Sequence, residues 1–271
     1  MRVVRSLAVA GVLAAGLGLG LAGPSSAASN TSDVSILHGV PGLTVDVYAN
    51  GNKLLSDFKP GTLTEPVKLP AGTYDLRVFA AGKGPTGTPA IEAKGVKVPA
   101  GVNITVVAHL DAAGKPELTP YVNDVTTIAA GKTRLTVRHD AAAPAVDVRA
   151  GGTPVFKNLT NPNEAKADIP AGTLKADVTL AGTAAVAIGP ADLALKEGTN
   201  TIVYAWGSAA DKNLKLAVQT ISGMHSMPGG VPSGTGGLIN DGLPTPLIAI
   251  TVLAAGGALL AGRRVVAGPR R

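Results

Sequence analysis

The sequence predicts an all-β protein of two tandem antiparallel β-sandwich modules, held between an N-terminal signal peptide and a C-terminal transmembrane helix. Three observations carry this. A set of strand and turn motifs occurs twice, about 100 residues apart. The segments between the turns alternate apolar and polar residues with period two, and long helical periods are lacking. The two ends of the chain are apolar runs flanked by arginines.

The repeat comes first. Ile36-Leu37-His38, Val45-Asp46-Val47, Asn50-Gly51 and Leu69-Pro70-Ala71-Gly72-Thr73 follow one another in the first segment. Thr136-Val137-Arg138-His139, Val146-Asp147-Val148, Gly151-Gly152 and Ile169-Pro170-Ala171-Gly172-Thr173 follow in the second. The His, Asp and Gly positions are 101 residues apart, and the Pro-Ala-Gly turns 100. Several features in fixed order with small drift indicate duplication. Val34, Ile36 and His38 share one strand face, as do Leu135, Val137 and His139. Asn50-Gly51 and Gly151-Gly152 supply the positive φ that tight hairpins need. Each Pro-Ala-Gly turn feeds a strand, Tyr74 to Ala80 and Leu174 to Ala181. Val102 to Leu110 and Thr201 to Trp206 complete the set, giving about seven short strands per copy in an Ig-like sandwich.

The ends give an address. Met1-Arg2-Val3-Val4-Arg5 is basic, Leu7 to Ala22 apolar, and Ser25 to Ala28 small, which is the pattern of a secretory signal peptide over residues 1–28. Leu243 to Gly262 is 20 uncharged residues. As a helix it is roughly 30 Å long, enough to span a bilayer core. Arg263, Arg264, Arg270 and Arg271 follow and hold residues 263–271 in the cytoplasm. Leu243-Pro244-Thr245-Pro246-Leu247 stands where a sortase signal would, but lacks its Thr-Gly step. The modules, 31–122 and 123–222, are thus expected outside the cell, on a Gly/Pro/Ser-rich tether over 223–242.

Charge excludes one partner class. The net charge is +6, yet six of the 24 basic residues lie at the termini, leaving 18 between Ala28 and Gly242 against 18 acidic residues. A nucleic-acid binder needs a basic face, so none is expected as partner. Cysteine is absent, and stability rests on packing.

These motifs together resemble the bacterial family known as domain of unknown function 4397, over nearly all of Asp33 to Ile221. The resemblance implies secreted or surface proteins with Ig-like sandwiches, and it supplies no catalytic residues to carry over. The Ala- and Gly-rich composition resembles that of proteins from high-GC actinobacteria.

His38 and His139, on the apolar face of each first strand, read as core-edge histidines bonded to a loop. Asp46 and Asp147 read as polar strand positions or turn supports. Met224-His225-Ser226-Met227 has ligand types that suit Cu(I) but sits in the expected tether. Most aromatics fall in strand patterns and are expected in the cores; Tyr48 and Tyr121 are the two open to a surface position, and no aromatic cluster stands out. No Gly-x-Ser-x-Gly elbow or phosphate-binding glycine fingerprint occurs. Asn103-Ile104-Thr105 and Asn158-Leu159-Thr160 fit the N-glycosylation pattern by coincidence. The expectation is no catalytic, cofactor-binding or metal-ligating residue, no cofactor, and two partners: the membrane through the C-terminal helix, and an unidentified protein or envelope ligand. Surface display for protein contact or envelope support ranks first, an envelope-carbohydrate or matrix binder second, and a hydrolase last.

Overall fold

The computed structural model describes residues 30–226. The expected signal peptide (1–28), membrane helix (243–262), cytoplasmic tail and most of the tether lie outside the described residues. No helix among the described residues is long and apolar enough to cross a membrane.

The first repeat runs β1 (Thr31–His38), β2 (Val45–Ala49), β3 (Asn52–Phe58), β4 (Val67–Pro70), β5 (Gly72–Ala80), β6 (Ile91–Val98), β7 (Asn103–Leu110) and β8 (Pro116–Val122). The second runs β9 (Lys132–Ala142), β10 (Val146–Ala150), β11 (Thr153–Leu159), β12 (Glu164–Pro170), β13 (Gly172–Leu180), β14 (Val186–Leu195), β15 (Asn200–Ser208) and β16 (Lys215–Ile221). Each repeat has eight strands where the motifs suggested about seven.

The strand order repeats too. Sheets β4-β1-β7-β8 and β3-β2-β5-β6 of the first half recur as β12-β9-β15-β16 and β11-β10-β13-β14 in the second. The hairpins form as expected. Asn50 and Gly51 take φ of 49° and 82°, and Gly151 and Gly152 take 55° and 83°, so β2 turns into β3 and β10 into β11. One expectation needs correcting: the sheets are not purely antiparallel. β1 pairs with β7 in parallel, and β9 with β15. Five strands lie between the members of each parallel pair, four of them in the opposite sheet, so sequence adjacency does not reveal the pairing.

Each repeat has its own core. Ile36 and Ala108 meet Val45, Val47 and Val78 between the sheets of the first. Leu135, Val137 and Val203 meet Val148, Val178 and Leu195 in the second. A further cluster joins the repeats. Leu37, Val107 and Tyr121 pack on Ile202 and Tyr204. Because strand side chains alternate between faces, β1, β7, β9 and β15 turn one face to their own core and the other to the other repeat. This is why β15 is buried at every position. The result is four stacked layers, not two beads on a joint.

The chain between the repeats is also fixed. Asp124 accepts Arg134 and Lys166. Ile128 is buried and its amide donates to the Met224 carbonyl. The expected tether therefore begins inside the fold: Met224 is buried, and its amide donates to the Gly198 carbonyl.

Candidate functional site

The two histidines occupy equivalent places. His38 Nε2 is 2.8 Å from the Leu43 carbonyl, and His139 Nε2 is 3.0 Å from the Pro144 carbonyl. A carbonyl only accepts, so Nε2 carries the hydrogen. Nδ1 then accepts the Val40 amide in the first repeat and the Ala141 amide in the second, each at 3.4 Å. Both rings are neutral and tie the end of a first strand to the following loop. Burial pushes both below the ordinary histidine value. An unfolded chain protonates them near 6.5, so their contribution is complete above that pH and lost as pH falls toward the lower folded values. His38→Ala or His139→Ala should cost on the order of 1–3 kcal/mol, and His139→Gln should remove part of the acid limb. Thermal melting against pH checks both; melting unchanged in both respects would contradict this role.

The paired aspartates support bulges. Asp46 accepts the amides of Asp57 and Gly82 and pairs with Lys53 at 2.9 Å. Asp147 accepts the amides of Asn158 and Gly182. Asp57 and Asn158 both have positive φ, 50° and 53°, where β3 and β11 bulge. Lys53 first, then the Asp57 amide, holds Asp46 below the usual carboxylate range; the Asn158 amide does most for Asp147.

Tyr48 and Tyr121, the two open to a surface position, are buried. Tyr48 stands edge-on to Phe79, and Tyr121 lies in the joint between the repeats. His225 is exposed against Gly198, beside the buried Met224 rather than on a free tether. Among the described residues no group of three His, Asp or Glu is placed to hold a metal ion.

The largest concentration of polar chemistry is one the motifs did not single out. Thr136, Arg138 and Asp140 form the β9 face opposite to Leu135, Val137 and His139, and that face is buried by the first repeat. Arg138 is 1% exposed. Its three nitrogens donate to Glu164 at 2.9 Å, Tyr204 Oη at 2.8 Å and Asn123 Oδ1 at 2.9 Å. Its guanidinium lies 4.2 Å from the centre of the Tyr121 ring. Tyr204 donates on to Gln219 Oε1 at 2.5 Å, and Thr105 of the first repeat donates to the same oxygen at 2.9 Å. At one end, Trp206 fills the space left by two glycines. A Cβ on Gly39 would stand 3.1 Å from Trp206 Cβ, and one on Gly61 2.9 Å from its ring. The available signal was the sequence of β15, Asn200-Thr-Ile-Val-Tyr-Ala-Trp-Gly-Ser208, which lacks the polar alternation of a strand with one wet face.

Beside this joint a cleft of about 470 Å³ opens between residues 63–66 and Val218 to Ser222. Ser35, Asn103 and Gln219 line it, and among the described residues Glu65 is its one ionisable group. It offers hydrogen bonds but no acid–base pair and no aromatic platform.

The sequence profile described as Domain of unknown function (DUF4397) matches residues 32–149. The match takes in the strands of the first repeat and continues through β9 into β10. No curated protein matches the chain.

Proposed function

We propose that this is a non-catalytic, membrane-anchored cell-surface protein whose paired sandwiches are displayed for protein contact or envelope support. The supporting observation is where the polar and aromatic side chains sit. Arg138, Asp140, both first-strand histidines and six aromatics (Tyr48, Phe58, Phe79, Tyr121, Tyr204 and Trp206) are all buried. They hold the fold and the joint rather than face a ligand. A body fixed through two sandwiches and a buried joint suits a spacer or a presented surface. The signal-peptide pattern and the arginine-flanked apolar run favour export and a single membrane pass with the repeats outside.

The carbohydrate-binding alternative leans on exposed aromatic platforms, and the burial of these rings weighs against it. Protease added to intact, wall-stripped cells should remove both repeats and leave a small C-terminal membrane fragment. Protection of both repeats would overturn the display reading. Retention of the solubilised protein on purified cell wall would favour the carbohydrate alternative.

A further inference from the structure

Asp140 is wholly buried on the face of β9 that meets the first repeat. Its Oδ1 lies 2.6 Å from Tyr121 Oη. Among the described residues its Oδ2 is buried with no hydrogen-bond partner. The same phenol lies 2.8 Å from the Pro162 carbonyl oxygen. One phenolic hydrogen therefore faces two acceptors.

The proton count decides between two arrangements. With Asp140 ionised, Tyr121 donates to the carboxylate and the Pro162 carbonyl receives nothing. A buried charge is then left with one hydrogen bond and no ion pair, an arrangement that normally neutralises itself. With a proton on Oδ1, Asp140 donates to Tyr121 Oη and the phenolic hydrogen goes to Pro162. Both short contacts are then satisfied. We propose that Asp140 is a neutral carboxylic acid in the folded chain, and that its proton completes a relay through Tyr121 to the Pro162 carbonyl that locks the two repeats and loosens them when the proton leaves.

The surroundings agree on balance. Burial is the first influence on Asp140 and pushes its carboxyl upward. Tyr121 comes from β8 and His109 from β7, while Arg138 lies on Asp140's own strand and Glu164 on β12. Trp206, the register partner on β15, adds no charge. His109, then the Tyr121 hydrogen bond, then Arg138 favour the ionised form, and Glu164 opposes it. Arg138 is already paired with Glu164. His109 Nδ1 faces the Leu110 carbonyl, and its Nε2 faces Thr119 at 2.8 Å and Glu117 at 3.4 Å. Among the described residues neither His109 nor Arg138 makes an ion pair with Asp140.

The sign follows. A carboxyl raised on folding stabilises fully below its unfolded value, and that stability is lost as pH rises through its folded value. Over that window the folding constant should fall by up to about tenfold per pH unit.

The test uses the full chain in detergent, with aspartate carboxyl carbons labelled for NMR and Trp206 fluorescence as the unfolding probe. The Asp140 signal, assigned through bonds to its own backbone amide, should keep the position of a protonated acid after the other aspartates have ionised. Asp140→Asn, whose amide can donate as the acid does, should abolish the loss of stability on raising pH. Tyr121→Phe, which breaks the relay but keeps the ring, should shift the Asp140 titration. An Asp140 carbon that titrates with the other aspartates overturns the proposal. So do parallel stability–pH profiles in the wild type and Asp140→Asn. Should Asp140→Asn not fold, the Tyr121→Phe titration decides, and an Asp140 signal unmoved in that variant overturns the relay.

Discussion

Arg138→Ala should destabilise the chain by on the order of 3–5 kcal/mol, the range for breaking a buried ion pair by removing one partner. Arg138 is almost fully covered and donates to three residues. Its loss leaves Asn123 Oδ1 without that donor and Tyr204 Oη without one of its partners. It also removes the cation stacked on Tyr121. Glu164 is 30% exposed at its side chain, and Gln keeps an acceptor for Arg138 Nε, so Glu164→Gln, which leaves the buried guanidinium without its anion but keeps its hydrogen bonds, should cost less, on the order of 1–3 kcal/mol. The asymmetry distinguishes a structural hub from a simple ion pair. Chemical denaturation followed at Trp206, the one tryptophan in the chain, reports on this joint directly because the indole sits against Gly39 and Gly61. Equal losses in the two variants would mean that the charge pair alone matters.

The parts of the fold that local chemistry dictates were legible in the sequence. Asn50-Gly51 and Gly151-Gly152 could be read as hairpins because positive φ at both central residues is a local demand. His38 and His139 could be read as loop-bonded because period-two alternation put them on the core face. What could not be read was what covers the other face. Arg134, Thr136, Arg138 and Asp140 alternate with apolar residues along β9, and such a face ordinarily meets water. Here the first repeat covers it, a fact set by tertiary packing of Tyr121 and Asn123 rather than by the pattern of the strand itself. The same blindness left Tyr121 open to a surface position. The parallel pairing of β1 with β7 was hidden for a related reason, since 64 residues separate His38 from Asn103. The cleft beside the joint was illegible because its walls come from both repeats.

Dividing the chain between Val122 and Asn123 should therefore have a large effect. Each half keeps its own sandwich core, which from the motifs alone suggests independent folding with a modest gain on joining. The joint changes that expectation. Leu37, Val107 and Ile202 are 0% exposed in the joined body, and division bares them together with Tyr121 and Tyr204. Burying a large apolar side chain contributes about 1.5–3 kcal/mol, so five of them represent on the order of 10 kcal/mol. That is comparable with the whole stability of an ordinary domain, about 5–15 kcal/mol. Residues 30–122 and 123–226 produced apart should keep β-type circular dichroism but melt far below the joined protein. Trp206 in the second half, with Gly39 and Gly61 gone, should emit at longer wavelength. Mixing the halves should move that emission back and raise the melting temperature in a concentration-dependent way. If the separate halves melt as the joined chain does and ignore each other when mixed, the joint contributes nothing. The four-layer arrangement would then have to give way to two independent modules.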